Sequence, residues 1–227
     1  MIKKVLATIL CGLSMVSLVS CASAGNNNDE AIVEEANNNS KSTEKSEIIA
    51  EGKWAEDFTK EEVMQINEEI TSRIEEVINY YGLDYEKEEK IKEENDESVT
   101  DRYIYTDNLN PEPNRMESMY YGFKTYGTDM ATGTLNLKIG FKLDLDQIKN
   151  EGKFDFNETS MANFSKAMTN VSDRDYSDIN KKIIDIVQNN NANGTIETNL
   201  DGLVETITIK DDYLLYRIDS KKYNFKI

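Results

Sequence analysis

Histidine is missing from all 227 residues, and cysteine occurs only as Cys11 and Cys21. Without histidine the chain lacks the usual general base at neutral pH, the usual triad member and the commonest metal ligand. No Gly-x-Ser-x-Gly elbow and no phosphate-cradling glycine loop occurs. Cations are also short: 26 Lys and Arg stand against 43 Asp and Glu, a formal net charge of −17. Such a surface repels phosphate backbones and anionic headgroups, which argues against a nucleic-acid partner and against a basic membrane-binding patch. Apolar residues make up 38 % of the chain. The polar excess is gathered in a few stretches, so the rest can still bury a core.

The chain opens with Lys3 and Lys4, followed by an apolar run from Val5 to Val19. As a helix the run would reach only about 22 Å, short of the roughly 30 Å hydrocarbon core of a bilayer. It therefore reads as the h-region of a signal peptide and not as a membrane span. The run ends in Leu18-Val19-Ser20-Cys21.

These four residues, directly behind an h-region, resemble the lipobox of bacterial prolipoproteins. The resemblance covers about a tenth of the chain. It implies a signal peptide over residues 1–20, cleavage before Cys21, and a diacylglyceryl group on the Cys21 thiol. Ser20 is small beside the scissile bond, as the motif asks, whereas Val19 is bulkier than the usual small residue. Two or more acyl chains would give a stable anchor. The implied location is the extracytoplasmic face of a cell membrane, with the membrane as a partner through Cys21. Once processed, the chain would hold no second thiol for a disulfide and would fold by its core alone.

Residues 21–52 follow as Cys21 and a stretch dominated by Asn, Ser and Glu, with two NNN runs and no aromatic side chain before residue 52. Too little apolar surface is present there to offset ordering entropy, so the segment reads as a flexible tether. A coil of this length has a root-mean-square reach of about 30 Å.

Residues 53–227 read as one α+β domain. Thr59 and Glu62 form a capping box. Behind it Val63, Ile66, Ile70, Ile74, Val77, Ile78 and Tyr81 make one helical stripe, which Gly82 ends. Residues 86–98 are almost wholly charged and read as a solvated loop or frayed helix. Three strands are expected at Arg102–Thr106, Met116–Tyr126 and Thr134–Asp144, with Pro111 and Pro113 in the loop between the first two. Two helices follow. One is carried by Met161, Phe164, Met168 and Val171. The other is carried by Ile179, Ile183 and Ile186 or Val187, with Asp175 or Ser177 as cap. Leu203–Ile209 and Tyr213–Asp219 then flank Lys210-Asp211-Asp212 as a hairpin, and Tyr223–Ile227 adds an edge strand. The order is helix, three strands, two helices, then two to four strands, which predicts an antiparallel sheet with helices packed on one face.

Chemistry-bearing clusters are weak. Asn189, Asn191, Asn193, Gly194 and Glu197 imitate part of a calcium loop, but the ligands would be neutral amides and the twelfth position is Leu200. A polar turn at a helix end explains them better, so neither metal nor cofactor is expected. No carboxylate pair stands out as catalytic, and no catalytic residue is assigned. The 12 tyrosines include the doublet Tyr120-Tyr121. In a strand a doublet sends one ring to each face, so one of Tyr120 and Tyr121 should lie outside the core on a candidate binding surface. Ordinary strand composition is the plainer explanation for the rest.

Three function classes follow. The first is a non-catalytic surface module that binds a protein, peptide or envelope polymer, and it calls for an open aromatic face. The second is a carboxylate-dependent enzyme acting on glycans, which calls for a cleft holding two acids about 5–10 Å apart. The third is a carrier of an apolar ligand, which calls for a dry hollow between sheet and helix.

Overall fold

The computed structural model describes residues 51–226. The expected signal peptide, the lipidation site Cys21 and tether residues 21–50 lie outside the described residues, as does Ile227. Contacts divide the chain between Lys45 and Ser46, and the described residues all belong to the second unit.

The expected capping box is present. The Glu62 amide donates to Thr59 Oγ1 at 3.1 Å, and the Thr59 amide donates to Glu62 Oε2 at 2.8 Å. It starts helix α1, Lys60–Tyr80, whose Val63, Ile70, Ile74 and Ile78 are fully buried. Gly82 follows the helix at φ 67°, a conformation glycine reaches without strain.

Four strands come next: β1 (Glu86–Glu94), β2 (Glu97–Asp107), β3 (Ser118–Tyr126) and β4 (Thr132–Lys142). Then come α2 (Leu145–Glu151), α3 (Ser160–Thr169) and α4 (Ser177–Asn189). The chain ends in β5 (Asn193–Leu200), β6 (Leu203–Lys210), β7 (Tyr213–Asp219) and the short β8 (Tyr223–Asn224). All strand pairs are antiparallel, and the sheet order is β1-β2-β3-β4-β7-β6-β5, with β8 beside β4. The sheet is thus two meanders that meet at the β4–β7 pair, each preceded by helix.

The α+β class and the helices on one face are as the sequence predicts. Alternation explains the sheet's sidedness. On β4, Leu135, Leu137, Ile139 and Phe141 are buried, while Asn136, Lys138 and Lys142 point the other way. β6 and β7 alternate in the same manner. All four helices cover the apolar face. α1 reaches it through Asn67, whose Oδ1 accepts from the Tyr121 hydroxyl at 2.9 Å. α3 reaches it through Ser165, 2.9 Å from the Tyr216 hydroxyl.

Residues 86–98 correct the expectation of a loop or frayed helix: they form β1, a two-residue turn and the start of β2. The charges are paired across the strands, as in Arg102–Glu89 at 2.8 Å, so no apolar alternation is needed to hold the strand. α2 is also additional. Asp144 caps it, accepting from the Gln147 amide at 3.0 Å, so β4 ends at Lys142. The N-cap of α4 is Tyr176, which makes no capping bond, and not the expected Asp175 or Ser177; Asp175, one residue earlier, accepts from the Ser177 amide at 2.9 Å. β5 was not read from the sequence. It claims Asn193, Gly194 and Glu197, three of the residues that imitate a calcium loop.

Both ends of the described chain are fastened at one place. The Trp54 amide donates to Asp201 O at 2.9 Å, and the Tyr223 hydroxyl donates to Trp54 O at 3.1 Å. Phe58 packs edge-on to Tyr223 at 5.1 Å, and the Lys226 amide donates to Phe58 O at 2.9 Å.

Candidate functional site: the open face of the sheet

Among the described residues no helix covers the sheet's second face. Its side chains come from the alternate positions of each strand and are partly exposed across β3, β4, β6 and β7. Tyr120 is here. Tyr121 is not: it points to the helices and is 1 % exposed. That corrects its candidacy as a binding residue. The doublet does divide between the faces, because neighbouring strand residues must.

Around Tyr120 the face carries further tyrosines. Tyr103 lies opposite Gly122, and its ring stacks on Tyr120 with centroids 5.7 Å apart and planes 25° apart. Tyr105 is directly opposite Tyr120. Tyr126 and Tyr213 occupy outward positions on β3 and β7. Tyr120 lies along its own strand over Gly122, and Tyr213 lies over Gly140. A Cβ at either glycine would collide with the ring above it, so glycine is what lets the tyrosines lie down.

The hydroxyls are tied down. Tyr120 donates to Asp101 Oδ1 at 2.8 Å, Tyr103 to Glu88 Oε2 at 2.7 Å, and Tyr105 to Asp107. Burial and then the neighbouring carboxylate push the Tyr120 and Tyr105 phenols above their usual range. Burial is likewise the leading cause of the upward shift at Tyr103. All three stay neutral at physiological pH, offering rings and acceptor oxygens and no charge.

The charge on this face runs against the molecule as a whole. On the four central strands β3, β4, β7 and β6, the outward ionisable side chains are Lys124, Lys138, Lys142, Arg217 and Lys210, with Asp219 as the one carboxylate. On the flanks the signs mix: β1 presents Glu86, Glu88 and Glu94 together with Lys90 and Lys92, which pair with Glu88, Glu94 and Asp101, and β5 presents Glu197. At the centre Lys138 stands between Tyr120 and Arg217 in one cross-strand row. Its Nζ is 5.7 Å from the Tyr120 ring centroid. Among the described residues it makes neither hydrogen bond nor ion pair. Burial, reinforced by Arg217, lowers its pKa. Arg217 binds Asp219 Oδ2 at 2.7 Å through Nη2, while its buried Nε has no partner.

Two hollows lie elsewhere. One, about 590 Å³, runs between α1 and β1–β2 and is lined by Met64, Thr71, Glu75, Glu89 and Arg102 among others. Its charges are mostly paired, Lys87 with Glu75 at 2.9 Å and Arg102 with Glu89 at 2.8 Å. The other, about 450 Å³, lies among Asn114, Arg115, Gly152, Asp155 and Glu158. Both are polar. A third cluster is buried: Glu205, 1 % exposed, receives Arg174 in a two-pronged ion pair, with Tyr216 at 2.6 Å and Thr198 at 2.7 Å also donating. Burial alone would raise the Glu205 pKa, but Arg174 and these donors bring it below the usual carboxylate range.

Carboxylates with displaced pKa values all move downward: Asp57, Glu62, Glu88, Glu94, Asp175 and Glu205. Among the described residues, no group of three or more acidic, histidine or cysteine side chains is placed to hold a metal ion, and no helix is long and apolar enough to cross a membrane. No protein-family model, curated protein or solved structure matches the chain.

Lys138 and Arg217 are the site residues that the sequence reading passed over. Lys138 falls on the wet side of β4 by alternation, but nothing in the linear order places Arg217 beside it. Only the β4–β7 pairing across 79 residues does so.

Proposed function

We propose that the protein is a non-catalytic binding module, tethered to the outer face of a cell membrane by a lipid on Cys21, that holds its partner on the open face of the sheet. The observation that carries this reading is the uncovered face itself, where Tyr103, Tyr105 and Tyr120 sit together over β2 and β3. Partly exposed tyrosine offers apolar area with few rotors to immobilise, which suits recognition. The flexible tether expected over residues 21–52 lets that face search the space above the headgroups.

Two further observations support this reading over the alternatives. A glycan hydrolase needs one acid held above its usual pKa, and the displaced carboxylates here move the other way. A carrier of apolar ligands needs a dry hollow, and the space between α1 and the sheet is lined with charged and hydroxyl side chains.

Two measurements test the proposal. The full chain and its Tyr103→Ala and Tyr120→Ala variants are used to capture material from the native envelope. Both variants should lose most of what the wild type captures, while Tyr121→Phe, altered on the buried face, should keep it. Equal capture by all four, with folds intact, rejects this face. For the anchor, Cys21→Ala should appear in the soluble fraction or as unprocessed precursor, and mass spectrometry of the wild-type N-terminus should find an acylated cysteine. A mature protein that still begins at Met1 rejects the anchor.

A further inference from the structure

Five of the chain's 26 Lys and Arg side chains point outward from the four central strands, against one carboxylate there. Lys124, Lys138, Lys142, Lys210 and Arg217 are drawn from strands far apart in sequence, and only the fold brings them together. At Lys138 burial is the leading cause of a lowered pKa, and repulsion from Arg217 and Lys124 adds to it while Asp219 and Asp101 oppose it. Surface lysines normally relieve such repulsion by pairing with acids, and this chain has acids in excess. Among the described residues Lys138 nevertheless has neither hydrogen bond nor ion pair, only the Tyr120 ring beneath its Nζ. An incoming anion would satisfy it.

The rest of the face says what carries that anion. A protein partner's hot spot is an apolar centre with a polar rim. Here the centre is mostly polar: Asn136, Asp219, Thr206 and Thr208 neighbour Lys138 and Arg217, Leu215 and Val204 are the apolar side chains among them, and the rings of Tyr103 and Tyr120 lie to one side. Hydroxyl and amide side chains on a flat surface next to tyrosine rings match a chain of hydroxyl-rich sugar rings. From Tyr103 on β2 to Arg217 on β7 is three strand spacings, about 14 Å. On β1 charges of both signs are paired with one another, so the four central strands carry the unbalanced positive charge of the face.

We propose that the centre of the open sheet face is a subsite for an anionic glycan. Lys138 and Arg217 receive a carboxylate or phosphate group of the chain, and the adjoining sugar ring lies against the edges of Tyr120 and Tyr103, whose faces are taken by each other and by Lys138 and Lys90. This rests on the open face being the binding surface, and it adds the chemical class of the ligand.

The test uses the full chain in detergent and titration calorimetry against polygalacturonate, its methyl ester, phosphorylated dextran, plain dextran and poly-L-glutamate. At least one of the two charged glycans should bind, and which of them does so separates carboxylate from phosphate as the acid group. Its uncharged counterpart should bind at least about tenfold more weakly. Lys138→Met should lose about tenfold in affinity for the charged glycan, and Lys138→Glu should abolish binding. Because Lys138 makes no hydrogen bond, its melting temperature and near-ultraviolet dichroism should match wild type in the Met variant. Added salt should weaken the binding. The proposal is overturned if neither charged glycan binds, if the uncharged forms bind equally, if Lys138→Met binds as wild type does, or if poly-L-glutamate binds as tightly as the glycans. The envelope capture separates the two levels. Loss with Tyr120→Ala but not with Lys138→Met leaves the face in place and removes the anion subsite, whereas loss with neither removes both.

Discussion

Glu205 occupies an inward position on β6, between the buried Leu203 and Ile207, where a carboxylate has no access to water. It is tolerable only because Arg174 reaches it from the connection between α3 and α4. Removing one partner of such a pair leaves an uncompensated charge, at a cost of about 3–5 kcal/mol. Arg174→Met should therefore lower the melting temperature at pH 7 by roughly 10 °C, given about 2–4 °C per kcal/mol for a chain of this size. The pH dependence carries a sign. In the wild type the folded Glu205 pKa lies below the ordinary value of 4.5, so its stabilisation is complete above that pH and is lost as pH falls through the folded value. In Arg174→Met burial is opposed only by the Tyr216 and Thr198 hydroxyls, and it raises the folded pKa. The Glu205 contribution is then complete below pH 4.5 and is lost as pH rises. The gap in melting temperature between wild type and variant should widen from pH 4 to pH 7, and a constant gap would mean that the pair is not what holds Glu205. This residue was legible in the sequence as an irregularity, since Leu203, Glu205, Ile207 and Ile209 share one parity of a strand. Its partner was not, because Arg174 lies in an irregular segment whose path depends on how α3 and α4 dock.

Elements with a hydrophobic rhythm were legible, and elements held by pairing were not. α1 follows from its stripe and capping box, and β4, β6 and β7 follow from alternation. β1 has no such rhythm: EKEEKIKEE is exposed almost throughout and owes its shape to β2. Its charges also suit an edge strand, discouraging pairing with another sheet. The signal that marks it is the turn. Asn95 and Asp96 have φ values of 53° and 63°, both left-handed, as a two-residue hairpin turn of type I′ requires. Asp96→Gly should ease the turn by about 0.5 kcal/mol, whereas Asp96→Val should cost about 1–2 kcal/mol. Hydrogen exchange of the residue 86–94 amides should slow in the first variant and quicken several-fold in the second, with residues 132–142 unchanged. The same direction in both variants would show that the turn does not set the hairpin. On the candidate site the division is similar. Tyr120 was legible by strand parity, while the charge asymmetry of the face needed the pairing of β4 with β7.

At the scale of the molecule, a sheet helical on one side and bare on the other separates two tasks. The covered side supplies the core, in which Phe123, Leu137, Phe141 and Leu214 are fully buried, and this allows folding without disulfides. The bare side is then free to vary in chemistry without disturbing that core. Lys138 makes no bond whose loss would be felt in the fold, so affinity and stability should respond to different substitutions. Polar-to-polar changes on the outward positions of β3, β4 and β7 should alter binding at nearly constant melting temperature.

A module anchored and bound as proposed above would also be a mechanical link in series. Any pull on the N-terminus enters the fold at Trp54, which is hooked to the β5–β6 turn at Asp201 and to the C-terminal segment at Tyr223. Load is therefore shared between the first and last described residues before it reaches α1. The clasp acts as a strain relief, and α1 is spared until the clasp opens. Pulling the chain from its N-terminus against an attachment on β4 in single-molecule force spectroscopy should show an early, low-force event of a few residues before the main unfolding step. Trp54→Ala should abolish the early event and leave the force of the main step unchanged. A fall in the main unfolding force would instead make Trp54 part of the core that resists.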